Sequence, residues 1–281
     1  MTILPYILFI IMEENNMTKE WNFDAEIQIK EMIDWIKEYF ADNGTPETKA
    51  VIGISGGKDS TIAAALLVRA LGKERVFGVL MPQGAQIDIA DSYKVCEILG
   101  IPHCTINIGA ACSALYSAID EGYDYDCCVK DNPIVATNTP SRIRMSTLYA
   151  IAAVVGGRVV NTGNRSEAWI GYTTKYGDLA GDFHLFQNLT VREVLEIGRA
   201  MEEIPRSLVE KVPADGMSGK TDEDNMGVTY EQIDNYLLEG ILPDATTFHK
   251  MKIRHNRNTH KEVIDLPGPE SCVRHKTEFY W

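Results

Sequence analysis

The chemistry of this chain is concentrated in one short stretch, Gly53-Ile54-Ser55-Gly56-Gly57-Lys58-Asp59-Ser60, which follows an apolar run and opens an Ala/Leu-rich segment. Two consecutive glycines permit positive φ and let a ligand approach the backbone closely. The N–H groups of such a turn, with those of a helix N-terminus, form a nest for anions, and Ser55 and Ser60 add hydroxyl donors. Asp59 is the odd member, because a carboxylate repels phosphate. It makes sense when a divalent cation lies between the two. The residue order is not that of a Walker A loop, so Lys58 is no P-loop lysine. The plainer alternative is an ordinary strand-to-helix turn in which Asp59 or Ser60 caps the helix.

A phosphate-binding turn has to be held between a buried strand and a helix, and the flanking pattern supplies both. "KAVIGIS" reads as a short, fully buried strand, and "DSTIAAALLVRALG" as a helix ended by Gly72. Ahead of them, residues 23–40 carry Ile27, Ile29, Met32, Ile33, Ile36 and Phe40 at near-helical spacing. "RVFGVLMP", "HCTINIG" and "RVVNTG" are further strands, and "IDIADSYKVCEILG" is a helix. "NTPSRIRMSTLYAIAAVVGG" reads as a helix with Thr139 as N-cap and Pro140 at its first position. Regular alternation of strand and helix predicts an α/β fold, an open parallel sheet with helices on both faces. Beyond Asn164 the pattern gives way to a Gly/Asp-rich loop and helices. These are expected to fold over the C-terminal edge of the sheet, where ligands of such sheets bind.

Composition narrows the function. The 281 residues are 45% hydrophobic, enough for a substantial core, and the net charge of −13 argues against a nucleic-acid binder, which needs a basic face. The six cysteines form no C-x-x-C pair and are not at zinc-ligand spacing with histidine, which points to reduced thiols in a cytoplasmic protein. The apolar run near the N-terminus is about ten residues long, too short to span a bilayer. Residues 1–20 are read as an extension, residues 21–281 as one working domain, and no membrane partner is expected.

"SGGKDS" resembles the pyrophosphate-binding loop of the N-type ATP pyrophosphatases. "NTPSRIRM", "NTGNRSEAWIGYTTKYGDLAGDF", "KTDEDNMGVTYEQIDNYLLEG" and "THKEV" resemble, in this order, ammonia-dependent NAD synthetase. The likeness runs from Trp21 to Lys261. It implies a Rossmann-like sheet of the adenine nucleotide α-hydrolase type. It also implies ATP-dependent amidation of deamido-NAD by ammonia, through a deamido-NAD adenylate, with release of pyrophosphate and AMP. Mg²⁺ as cofactor and a homodimer come with it. The glutamine-dependent relatives carry an added glutaminase domain for which these 281 residues leave no room, so ammonia is the expected nitrogen source.

The resemblance also assigns residues. Gly53, Ile54, Ser55, Gly56, Gly57, Lys58, Asp59, Ser60 and Thr162 would contact ATP. Asp59 and Glu167 would ligate Mg²⁺. Arg142, Lys175, Asp182, His260 and Lys261 would hold deamido-NAD, and Asp59, Glu167 and Lys175 would carry the catalysis. Each has a local alternative: Glu167 as a first-turn helix residue, Thr162 as a strand end, Asp178 in the same loop as an Asx turn, the basic tail as a solvated helix face. Arg142 and Arg144 are two apart and face nearly opposite ways on a helix. Only one can easily meet a ligand, and the resemblance favours Arg142, leaving Arg144 to a salt bridge or dimer contact. The chain departs from its relatives at Val191, Ala214 and Leu80. Lys220, in an acidic loop whose carboxylates would face solvent, a second metal ion or Arg192, is expected to replace a missing ATP contact. Arg192 is the other candidate. Competing readings are a tRNA-modifying or sulfur-transfer pyrophosphatase and a non-catalytic nucleotide-binding module.

Overall fold

The apolar run Lys49–Gly53 forms β1, and its side chains alternate between two buried faces: Ala50 and Ile52 meet one helical layer, Val51 the other. In the computed structural model, which describes residues 21–86, 89–123, 128–212, 221–261 and 266–272, four strands join it. They are β2 Val76–Leu80, β3 His103–Thr105, β4 Gly157–Asn164 and β5 Phe183–Phe186. The order is β3-β2-β1-β4-β5 and every pairing is parallel, with Ala50 opposite Val76 on one side of β1 and Arg158 on the other. Strand order therefore reverses between β1 and β4, and a crevice opens beyond their carboxyl ends.

The described helices are α1 Ala25–Asp42, α2 Lys58–Leu71, α3 Ile89–Leu99, α4 Gly109–Gly122, α5 Pro133–Val155, α6 Arg165–Ile170, α7 Val191–Ala200, α8 Arg206–Val209, α9 Asp222–Met226, α10 Tyr230–Asp234 and α11 Ala245–Asn258. On one face, α1, α2 and α7 bury Met32, Ile36, Ile62, Leu66 and Ile197 against the sheet. On the other, α5 buries Met145, Leu148 and Ala152. A further cluster around Trp169, Tyr236 and Met251 joins α6 and α11 to the turn after α10. Among the described residues no helix is long and apolar enough to cross a membrane.

Two sequence expectations need correction. The segment after Asn164 contains a strand, β5, whose four residues Phe183-His184-Leu185-Phe186 are all buried and pair with β4. It is too short to register as a periodic pattern. Helix α5 begins at Pro133, capped by Asn132, whose Oδ1 accepts from Ile134 N and Val135 N, so Thr139 and Pro140 lie inside it. The earlier Asn-Pro supplies the same cap-plus-proline signal, and the helix absorbs the N–H that Pro140 lacks.

Candidate active site

A cleft of about 670 Å³ lies at the reversal point, lined by the turn after β1, the ends of β2 and β4, and parts of α5 and α6. Gly56 in the turn has φ +76°, and a Cβ there would sit 2.8 Å from Asp91 Cβ and 2.9 Å from Ser92 N. Only glycine fits that approach to α3. Ser55 Oγ lies 3.0 Å from Ser60 Oγ and accepts Gly57 N–H at 3.2 Å. The N-cap of α2 is Gly57, with no side-chain cap bond. Neither Asp59 nor Ser60 is a cap, so the plain helix-start alternative does not hold.

Asp59 and Glu167 both line the cleft. Lys58 is buried and its Nζ lies 2.6 Å from Asp59 Oδ2. Burial disfavours the Lys58 charge, but Asp59 and Glu167 outweigh it and its pKa is raised. Burial, then the charge of Asp59, pushes the Glu167 carboxyl upward. Asp59 Oδ1 is buried without a hydrogen-bond partner. A dication would relieve both carboxylates, so the pair fits one. Among the described residues no group of three His, Cys, Asp or Glu could hold a metal alone. Two carboxylates completed by phosphate oxygens suit magnesium. Glu167 also fills its local role: Oε2 accepts Asn164 N–H at 3.1 Å while Asn164 Oδ1 accepts Glu167 N–H at 3.0 Å, a capping box that fixes the carboxyl at the cleft.

The corner between β4 and α6 rests on two buried groups that sequence reasoning missed. His184 Nε2–H donates to Gly163 O at 2.7 Å, between Thr162 and Asn164. Burial pulls its pKa to about 4, so the ring is neutral. Asp234 accepts from Ser166 Oγ and from Arg192 N–H, and burial pushes its carboxyl up to about 7. Both act on neighbours distant in sequence, and no motif announces them.

At the cleft rim, Arg142 Nε donates to Lys175 O at 3.1 Å, and Lys175 Nζ to His260 O at 2.9 Å. These three residues are joined just outside the cleft lining. Lys261 is inside it, its Nζ on Gly171 O and Thr173 O at 2.9 and 2.7 Å. Nearby Asp178 accepts Thr174 N–H at 2.6 Å, which is the turn role weighed for it, and it too lines the cleft. Packing around it raises its pKa to about 6, against the hydrogen bonds and the charge of Lys261. Asp182 is not brought into the cleft: its carboxylate accepts Val159 N–H at 2.7 Å and the Tyr149 hydroxyl at 3.3 Å.

The departures have structural counterparts. Val191 is buried and its N–H donates to Ser166 Oγ. The Arg192 guanidinium is held by Glu239 at 2.6 Å and by Asn235, over the Trp21 ring. Leu80 is wholly buried. Lys220 and Ala214 lie outside the described residues. Asp222 is buried and takes the Tyr230 hydroxyl at 3.3 Å, so it faces neither solvent nor Arg192. Two cleft cations were not foreseen. Lys211 Nζ is 2.6 Å from Asp91 Oδ2. Arg144, expected in a salt bridge or dimer contact, lines the cleft with its Nε on Met81 O at 3.1 Å.

The family described as NAD synthase matches this chain over residues 28–267. An NH(3)-dependent NAD(+) synthetase from Pyrococcus furiosus is 35% identical over 238 residues, 84% of this chain and 86% of that protein. The solved NMN synthetase from Francisella tularensis is similar with a TM-score of 0.77 at 32% identity, covering 87% of this chain and 98% of that one. The NH3-dependent NAD synthetase from Campylobacter jejuni gives 0.66 at 28% identity, over 87% of this chain and 98% of that one.

Proposed function

The chain belongs to the NAD synthase family, and from that premise we propose that it amidates deamido-NAD to NAD with ATP and ammonia. The observation that carries the reading is the cleft at the β1/β4 reversal, where the uncapped Ser-Gly-Gly turn faces the Asp59/Glu167 pair. The turn and the α2 N-terminus would take the phosphates of ATP, with Thr162 at the opposite wall. Asp59 and Glu167 would hold Mg²⁺, which when bound offsets charge on the phosphate oxygens.

The nicotinate carboxylate of deamido-NAD attacks the α-phosphorus of ATP, and pyrophosphate leaves. Ammonia then attacks the acyl carbon of the adenylate, AMP departs with the bonding pair, and a proton is lost from nitrogen. Charge accumulates on oxygens, so orientation and electrostatics carry the rate and no protein nucleophile is required. The joined rim of Arg142, Lys175 and His260, continuous with Lys261, supports a dinucleotide path out of the cleft. Asp182 keeps its deamido-NAD assignment through resemblance alone. Residues 21–281 would act as one unit. A cytoplasmic homodimer completes the proposal, supported by Leu115 on α4 and Tyr149 and Val154 on α5, apolar and exposed.

The test is NAD formation from deamido-NAD, ATP, Mg²⁺ and ammonium by the purified chain. Activity is expected with ammonium and absent with glutamine alone. Because only neutral ammonia is nucleophilic, the rate at fixed total ammonium should rise through the neutral range. The similar Francisella protein is an NMN synthetase, so nicotinate mononucleotide belongs in the same assay. A higher kcat/KM on the mononucleotide would reassign the substrate while leaving the chemistry intact.

A further inference from the structure

The cations of the cleft are balanced by protein acceptors with one exception. Lys58 has Asp59, Lys211 has Asp91, and Lys261 has two carbonyls with Asp178 close by. Arg144 differs. Its Nε donates to Met81 O, and among the described residues no carboxylate is within ion-pair distance. Burial lowers its pKa, and the titratable group acting on it is Cys112, a thiol that burial itself keeps protonated. A half-buried cation without a counter-charge is costly unless a ligand completes it.

Its surroundings say what kind of ligand. Met81 directly follows β2, so the guanidinium is pinned at that strand's end by one nitrogen, and both Nη groups remain as donors. Apolar side chains on the α5 side of the sheet, Met81, Met145 and Leu148, line the same cleft. Gly53 opens this slot: a Cβ there would lie 3.3 Å from Met81 Cε and 3.7 Å from Leu148 Cδ1. The phosphate-binding groups belong to the α2 layer, whereas Arg144, Met145 and Leu148 belong to α5 on the opposite face. An apolar slot edged by a planar cation suits an aromatic base rather than a phosphate.

We propose that Arg144 is the purine-recognition residue of the ATP site, its guanidinium lying at the edge of the adenine ring between the ends of β1 and β2 and donating an Nη–H to a ring nitrogen in the ring plane. Lysine cannot reproduce this, because it lacks the planar fork. The inference rests on ATP occupying the cleft as proposed above.

The experiment measures binding of ATP, GTP and inorganic pyrophosphate to the full chain by calorimetry, for wild type, Arg144→Met and Arg144→Lys, with steady-state kinetics alongside. Wild type that binds no ATP would count against the proposed function itself. Given ATP binding by wild type, Arg144→Met should weaken ATP affinity ~10- to 100-fold, the effect of losing one desolvated charge-assisted hydrogen bond. The KM for ATP should rise in step, pyrophosphate affinity should stay within about twofold, and the preference for ATP over GTP should narrow. Arg144→Lys should recover little of this. The Tm of Arg144→Met should equal or exceed that of wild type, since a charge without a counter-charge is removed. Unchanged ATP affinity overturns the assignment. So does a parallel loss for ATP and pyrophosphate, which would make Arg144 a phosphate contact, or full recovery by lysine. A lowered Tm without a change in nucleotide binding would make it structural. Should the methionine variant not fold, the lysine variant carries the same comparison.

Discussion

Lys58 is a buried ammonium held by Asp59 and favoured by the charge of Glu167. Asp59 and Glu167 follow different strands, and burial, then the charge of Asp59, makes ionisation of Glu167 harder. Groups so arranged serve a ligand rather than the fold. Glu167→Gln makes the case testable, because glutamine still closes a capping box and removes one of two opposed charges. NAD formation should fall by ~100-fold or more, as for loss of one preorganised electrostatic group, while the Tm stays level or rises. An active variant at saturating Mg²⁺ would remove Glu167 from the metal site. The turn was legible in the sequence, because Ser55, Gly56, Gly57 and Asp59 lie within five residues and the positive φ of Gly56 requires glycine. Arg144 was not. Two arginines two apart allow only one to face the cleft easily, and which one lines it depends on the rotation of α5 about its axis, set by the packing of Met145 and Leu148.

At the scale of elements, β1 and β2 were readable because each is a short, largely buried run of mostly apolar residues. Strand β5 escaped because its four residues follow the Gly/Asp-rich loop, outside the regular alternation of strand and helix that marked the others. Its His184 has a measurable consequence. Its folded pKa lies below the 6.5 of the exposed ring, so the unfolded chain takes up the proton first. The stability it contributes is complete above pH 6.5 and is lost as the pH falls toward about 4. Raised carboxyls at Asp178 and Asp234 push the other way, so wild type alone does not isolate the effect. The comparison is Tm against pH for wild type and His184→Gln. The difference between them should narrow steadily from pH 7 to pH 4.5, and a constant difference would mean that His184 does not titrate in this range.

For the whole molecule, closure of the β5 edge depends on the segment 266–272 returning across it. His184 N–H donates to Pro267 O at 3.0 Å, and Asn188 Nδ2 to Pro269 O at 3.2 Å. Gln28, wholly buried on α1, pins the same segment at both ends of its amide, donating to Glu270 O at 3.1 Å and accepting Cys272 N–H at 2.9 Å. Gln28→Ala should cost about 1–3 kcal/mol by leaving two backbone groups unpaired, read as a lower urea midpoint with kcat nearly unchanged. An unaltered midpoint would show that the strap contributes nothing. The parallel sheet has a second consequence. Every cleft-lining strand end lies on its carboxyl side, so the turns at the amino side belong to no step of the reaction. Gly72 is such a turn: exposed, at φ +83°, with open space where a Cβ would be. New chain ends or a reporter peptide introduced there should leave turnover intact, which makes this edge the natural place to tether the protein to a surface or a second enzyme.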